Sequence, residues 1–349
     1  MSKHILIVGG GYVGMHSAMR LRKLVRSGEV SVTLVDPHSS MNDRPVLADV
    51  AGGTVEPCFA TALPAKVPAE VPEEVRVLNG HVTPTAHEAR TAEFQPAQGP
   101  PGVILYDTLV MTADLITGEP PILGLAEHTI GCKDGFETVH LRNHVLAQLS
   151  AACTDDERAR RRALTFVVVG GGFSGVKALA EMQVLAEEAL TCHRSINLTD
   201  LSWILVEAGD DIPPEPRKIL AHRTADVRLG TRLTSAAGGV AVLSDGTKLD
   251  AGTLVWAAGE PPSSYVAESV LPVDRGGRII TTEYLTVAGV ADAFAAGEGA
   301  AVPDPDRPGE FIEPSARYAV RQARLLGRNL VAHVRGRRLK PYRHTAWRR

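Results

Sequence analysis

Three observations predict an α/β chain. A β-branched run, a Gly-x-Gly-x-x-Gly loop and a helix-forming stretch occur in that order twice. Each copy is followed by a second apolar run that ends in a carboxylate. Further short strands ending in small residues come between and after the copies, as a parallel sheet covered by helices requires. The 349 residues allow about two domains at roughly 150 residues each. Apolar residues make up 44% and charged residues 22%, with a formal charge of −3. That is ordinary globular composition and excludes a disordered, collagen-like or coiled-coil chain.

The first copy begins at Ile5-Leu6-Ile7-Val8, which reads as a buried parallel strand. Gly9-Gly10-Gly11-Tyr12-Val13-Gly14 follows, then helical spacing from Met15 to Leu24. Val32-Thr33-Leu34-Val35 is the next buried strand and ends at Asp36, 22 residues beyond Gly14. The chemistry explains the residue types. Gly9 makes the tight turn, Gly11 lets the backbone approach a pyrophosphate, and Gly14 packs helix on sheet. The helix N-terminus offers unpaired N–H groups and a partial positive charge to the diphosphate. Asp36 stands where a carboxylate accepts from ribose hydroxyls.

The second copy runs from Leu164 through Val169 into Gly170-Gly171-Gly172-Phe173-Ser174-Gly175 and a helix from Val176 to about Leu190. Trp203-Ile204-Leu205-Val206 then ends at Glu207, a longer gap than in the first copy, so the helix or its loop carries an insertion. A carboxylate there suits the free 2′-hydroxyl of NADH and repels the 2′-phosphate of NADPH. Strand-then-small-residue stretches recur at Tyr106–Met111, Thr253–Gly259 and Asp292–Glu298. The pattern is that of two Rossmann-type dinucleotide-binding domains.

With these residues the chain resembles the two-dinucleotide-domain flavoproteins, and specifically the type II NADH dehydrogenase (NADH:quinone oxidoreductase) family. Besides the loops, the resemblance rests on Val206-Glu207-Ala208-Gly209, Leu254–Gly259, Phe294–Val302, Pro314-Ser315-Ala316 and Arg335–Tyr342. It covers nearly the whole chain. It implies an NADH domain inserted into an FAD domain: residues 1–113 the first FAD part, 114–256 the NADH domain, 257–349 the second FAD part with a basic tail. Hydride would pass from nicotinamide to flavin and on to an acceptor. By the same resemblance Gly9, Gly11, Tyr12, Val13, Gly14, Asp36, Pro37, Arg44, Val82 and Glu298 would hold FAD. Gly170, Gly172, Gly175, Glu207 and Gly259 would hold NADH.

The sequence departs from the family at several of these places. Gly297-Glu298 stands where the family has Gly-Asp; glutamate keeps the charge and adds a methylene. Asp114 replaces a glycine near the FAD, where a carboxylate would be repelled by a diphosphate. Lys177 replaces the glutamate after the second loop. It reads either as a catalytic cation facing an anionic reduced flavin or a carboxylate-bearing substrate, or as a surface lysine. Arg317 takes the place of a glutamine on the last helix, and Ser39–Pro45 replaces an aromatic-rich loop, so the acceptor side becomes more polar and cationic. Arg317 is the candidate substrate contact. Members of the family usually continue into C-terminal amphipathic helices, whereas this sequence stops at Arg349.

The remaining features exclude other classes. Cys58, Cys132, Cys153 and Cys192 lie far apart, which argues against a disulfide scaffold, a zinc site or a Cys-x-x-Cys. Twelve histidines show no ligand spacing, so no metal is expected. No run of 18 apolar residues exists and no signal peptide is visible, which implies a soluble, cytoplasmic protein. Residues 314–349 carry eleven Lys+Arg and no acid. Contact with an anionic membrane is one reading; a solvated, partly frayed tail behind an arginine-studded helix (Arg317, Arg321, Arg324, Arg328) is the one adopted. No nucleic-acid module is present. The expected activity is FAD-dependent transfer of hydride from NADH to a small polar or quinone-like acceptor, such as a biosynthetic tailoring step would use, in a monomer or homo-oligomer. The alternatives are a flavoenzyme whose dehydrogenation or non-redox chemistry is independent of NADH, and a degenerate nucleotide-binding partner protein.

Overall fold

Ile5-Leu6-Ile7-Val8 lies in the middle of a parallel sheet because a run that is apolar on both sides needs cover on both faces. All four residues are buried. The structure is a computed structural model that describes residues 2–37, 41–42, 44–55, 61–62, 75–112, 122–132, 135–193, 195–258, 271–312 and 316–343. Contacts divide the chain into two units. Unit 1 comprises Met1–Met41, Ala62–Gly118 and Glu260–Arg349, and unit 2 comprises Asn42–Thr61 and Glu119–Gly259.

In chain order the main elements begin with β1 (Lys3–Val8), α1 (Tyr12–Arg26), β2 (Val30–Asp36) and α2 (Arg44–Ala51). Then come β3 (Val75–Ala86), β4 (Thr91–Pro96), β5 (Gly102–Leu105), β6 (Thr108–Met111), β7 (Ile130–Gly131), α3 (Gly135–Ala151) and α4 (Glu157–Ala163). They continue with β8 (Thr165–Val169), α5 (Phe173–Ala189), β9 (Ser202–Val206), α6 (Pro214–Leu220), β10 (Asp226–Arg228), β11 (Leu233–Ser235), β12 (Val240–Leu243) and β13 (Lys248–Asp250). The last are β14 (Thr253–Trp256), β15 (Ala293–Ala295) and α7 (Ala316–Val334).

Unit 1 is built on a sheet in the order β15-β6-β1-β2-β3-β4-β5. Pairings from β15 to the first half of β3 are parallel, and β3, β4 and β5 continue it as an antiparallel meander. One contiguous core joins these strands to Leu21 and Leu24 of α1 and to Leu326 and Leu330 of α7. Helix α7 buries two amide side chains as well, Gln322 and Asn329. Seven residues apart, they lie on the same helix face. The Asn329 side chain donates to the carbonyls of Tyr284 and Lys340 and accepts from the Lys340 N–H, while the Tyr342 N–H donates to Glu283. Residues 337–343 are therefore tied down where the sequence suggested fraying. Arg335 pairs with Glu29 at 3.0 Å.

Unit 2 holds a fully parallel sheet in the order β10-β9-β8-β14-β7, beside a three-stranded antiparallel sheet β11-β12-β13. Phe166 and Trp203 face each other across β8 and β9 with ring centroids 4.3 Å apart, a favourable cross-strand aromatic pair. Both parallel sheets reverse direction of growth at their first strand, between β1 and β6 and between β8 and β14. Ligands in such sheets bind at that switch point, outside the carboxyl ends of the strands. The unit boundaries differ from the sequence expectation at residues 42–61, which count with unit 2. The reason is the apolar face of α2: Leu47 and Val50 are buried with Val55 and Val139 packed against them, and Ala51 joins the core under α3 and α5.

Candidate functional site

The two glycine loops are built alike, down to individual hydrogen bonds. In unit 1 the Gly9 N–H donates to Val35 and the Thr112 N–H to Val8; in unit 2 the Gly170 N–H donates to Val206 and the Ala257 N–H to Val169. Gly11 and Gly172 begin their helices with nearly equal backbone angles, φ −65° and ψ −174° against φ −70° and ψ 177°. Close packing explains the third glycine of each motif. A Cβ on Gly14 would overlap the Gly9 carbonyl oxygen and stand 2.7 Å from Thr112 Oγ1, and one on Gly175 would overlap the Gly170 carbonyl oxygen.

A diphosphate fits both places. Glycine at the start of each helix leaves that end without a side-chain cap, so the first-turn N–H groups remain for an anion. A Cβ on Gly172 would meet no protein atom within 4 Å, which is room for a ligand to approach the backbone. The terminal acids complete the resemblance between the loops. Asp36 Oδ2 accepts from the Gly10 N–H at 2.5 Å. Glu207 Oε2 accepts from the Gly171 N–H at 2.5 Å and its Oε1 from the Gly209 N–H at 2.7 Å. Each carboxylate is thus held in front of its own loop by backbone donors.

The other residues named from the sequence fall as follows. Tyr12 is exposed at the start of α1 and stacks on His16, centroids 5.8 Å apart; Val13 is buried beside Gly297. Pro37 follows Asp36, and the Asn79 side chain on β3 donates to both carbonyls. Val82 is buried in the core of unit 1. Glu298 is half-buried next to Gly297, whose φ of 99° belongs to the left-handed region and favours glycine. Arg44 opens α2 and Arg317 lies in the first turn of α7, their side chains falling outside the described residues. Gly259 and Asp114 lie outside the described residues altogether.

Lys177 is not an isolated cation. Its ammonium lies 2.6 Å from the Asp49 carboxylate of α2, both side chains being mostly buried. Glu181, one helical turn further along α5, completes the group. Burial, and then the Asp49 charge, push its carboxyl above the ordinary glutamate range, while Lys177 and Arg223 oppose the shift.

Several residues of these arrangements, Glu181 among them, were not singled out from the sequence. Thr112 donates through Oγ1 to the carbonyls of Val8 and Gly9, at 3.1 and 2.9 Å. Asn79 holds the turn after Asp36, Gln322 accepts from the Gly297 N–H at 2.7 Å, and Asp49 pairs with Lys177. Only Gln322 left a trace in the sequence: with Asn329 it is an uncharged polar residue recurring at a heptad interval on a helix whose other polar positions are mostly arginines.

A family model described as pyridine nucleotide-disulphide oxidoreductase matches residues 3–323. The chain belongs to that family. It is an oxidoreductase, and a flavoprotein of the FAD- and NAD-dependent kind. It is 24% identical over 347 residues to a type II NADH:quinone oxidoreductase of Staphylococcus aureus, covering 96% of this chain and 83% of that protein. Among solved structures it is similar to NDH2 of Plasmodium falciparum in complex with NADH, with a TM-score of 0.75 at 18% identity. That match takes in 86% of this chain, which spans only 65% of the Plasmodium chain. It is also similar to the water-forming NADH oxidase of Lactobacillus brevis bound to NADH, with a TM-score of 0.69, 21% identity, and coverage of 95% and 70% of the two chains. These likenesses establish the shared fold. Among the described residues, no helix is long and apolar enough to cross a membrane.

Proposed function

We propose that the protein transfers hydride from NADH, through FAD, to a small polar or quinone-like acceptor. The observation that carries this reading is the duplicated loop, each copy with its own acid held in front of it. In unit 1, Gly9, Gly11 and Gly14 with the N–H groups of Tyr12 and Val13 would hold the FAD diphosphate, and Asp36 with Pro37 the adenosine ribose. Arg44 and Val82 would flank the cofactor and Glu298 would hold its ribityl chain. In unit 2, Gly170, Gly172 and Gly175 would hold the NADH diphosphate, Glu207 the adenosine ribose, and Gly259 the nicotinamide half. When bound, FAD accepts hydride from the nicotinamide and passes electrons on. The residues themselves bind, orient and shield.

Glu207 supports NADH over NADPH, because a carboxylate fixed by two backbone amides cannot swing away from a 2′-phosphate. Lys177, paired with Asp49, would act by holding α2 to α5 rather than as a lone catalytic cation. The acceptor reading rests on Arg317 and the polar Ser39–Pro45 segment; a biosynthetic tailoring step in the cytoplasm fits such an acceptor. An anaerobic absorption spectrum before and after NADH tests the proposal. The flavin band should bleach in the parent. In Gly175→Ala, where the added Cβ displaces the second loop, bleaching should slow by about 100-fold with the flavin retained. A flavin band that NADH leaves unchanged in the parent would rule out the reaction.

A further inference from the structure

The buried amide at Gln322 has no part in the family's glycine loops, and it bonds to a turn of unit 1 that the sequence marked as altered. Its Oε1 accepts from the Gly297 N–H at 2.7 Å, and the side chain is 3% exposed. Gly297 takes a φ of 99°, and its Cα side faces Val13 Cγ2, 3.4 Å from where a Cβ would stand, and the Thr112 carbonyl at 4.0 Å. Val13 belongs to the first glycine loop, and Thr112 hydrogen-bonds two carbonyls of β1 and that loop. Besides the backbone bonds from Ala296 to Met111 and from Ala300 back to Gly297, the turn bearing Glu298 is set by contact with the loop on one side and by the Gln322 hydrogen bond to α7 on the other.

We propose that Gln322 is a positioning residue for the flavin site, fixing the Gly297-Glu298 turn so that the longer glutamate side chain is delivered at one height and angle. The inference rests on the reading that Glu298 holds FAD. Its physical basis is that a buried N–H deprived of its acceptor seeks another partner. For Gly297 that means rotating the Ala296–Gly297 peptide, which carries the N–H and stands one residue before Glu298. A glutamate has one more methylene than an aspartate, and so one more torsion to fix. A turn that is rigid is correspondingly more important to it.

The test measures FAD affinity, the visible absorption and circular dichroism of the bound flavin, and thermal stability, in the parent, Gln322→Met, Gln322→Glu and Glu298→Gln. Gln322→Met keeps the volume and removes the acceptor. It should weaken FAD binding by about tenfold and shift the visible circular dichroism of the flavin. Gln322→Glu keeps an oxygen that accepts from the Gly297 N–H, burial favouring its uncharged form, and should restore both at pH 6. It also keeps the test open if the Met variant fails to fold. Parent-like affinity and spectrum in Gln322→Met, with Glu298→Gln impaired, would overturn the inference and leave the flavin-site reading standing. Parent-like behaviour in Glu298→Gln would remove the reading on which the inference depends. Weak binding in both Gln322 variants at pH 6 would assign Gln322 to packing alone.

Discussion

The Glu207 carboxylate accepts from the backbone N–H groups of Gly171 and Gly209, so its charge is pinned where, on the proposed reading, an adenosine 2′-substituent would arrive. Two like charges about 4 Å apart repel by roughly 1–4 kcal/mol between fully aqueous and surface-protein screening. Glu207→Gln removes that repulsion while keeping one acceptor. The kcat/KM preference for NADH over NADPH should narrow by about tenfold, chiefly through the KM for NADPH. An unchanged ratio would mean that another residue sets the choice. At this scale the sequence was readable wherever geometry forces a residue type: Gly14, Gly175 and the two acids lie where the motif requires them. Thr112 and Asn79 were not readable, because any of several residues can satisfy a neighbouring carbonyl and nothing in their flanking sequence distinguishes these two.

Helix α2 is eight residues long, too short to persist alone, and takes its stability from what it touches. Leu47, Val50 and Ala51 supply burial, and Asp49 is neutralised by Lys177. Lys177→Met would leave Asp49 and Glu181 as like charges without a mediator. The Glu181 carboxyl, already raised by burial and by Asp49, should rise further, and the protein should lose about 1–3 kcal/mol. A carboxyl titration by NMR together with a urea melt checks both; an unmoved Glu181 would show that the three groups are not coupled. The pairing explains why Lys177 was ambiguous in the sequence. Its partner lies 128 residues away, in a segment that chain order assigns to the other unit, and only tertiary contact reveals it.

For the whole molecule, four histidines share one tendency. Burial is the leading cause that holds His4, His16, His144 and His333 below the ordinary value, which is about 6.5. The unfolded chain therefore takes up protons before the folded one does. Stability is full well above pH 6.5 and falls as pH drops through that value toward the folded-state pKa values. Thermal midpoints recorded from pH 7.5 down to 5.5 should decline, and His144→Gln, which keeps a donor for the Gly252 carbonyl that His144 now serves, should flatten the slope. A flat profile in the parent would exclude these histidines as the source. The architecture at this scale was largely legible: the two loops, the parallel strands beside them and their helices follow from periodicity and glycine spacing. The path of residues 42–61 into unit 2 and the fastening of residues 337–343 were not, since both depend on contacts between segments far apart in the chain.

That fastening changes what the arginine-rich end is. Arg337, Arg338, Lys340 and Arg343 look from composition like a loose polycationic arm. Their backbone is clamped instead by one asparagine amide and one tyrosine N–H. Charges on a clamped strap keep fixed spacings, so an anion meeting them finds a pattern with a shape. A protease that cuts after basic residues meets these targets in a stretch that must first be unbuckled from the helix beneath it.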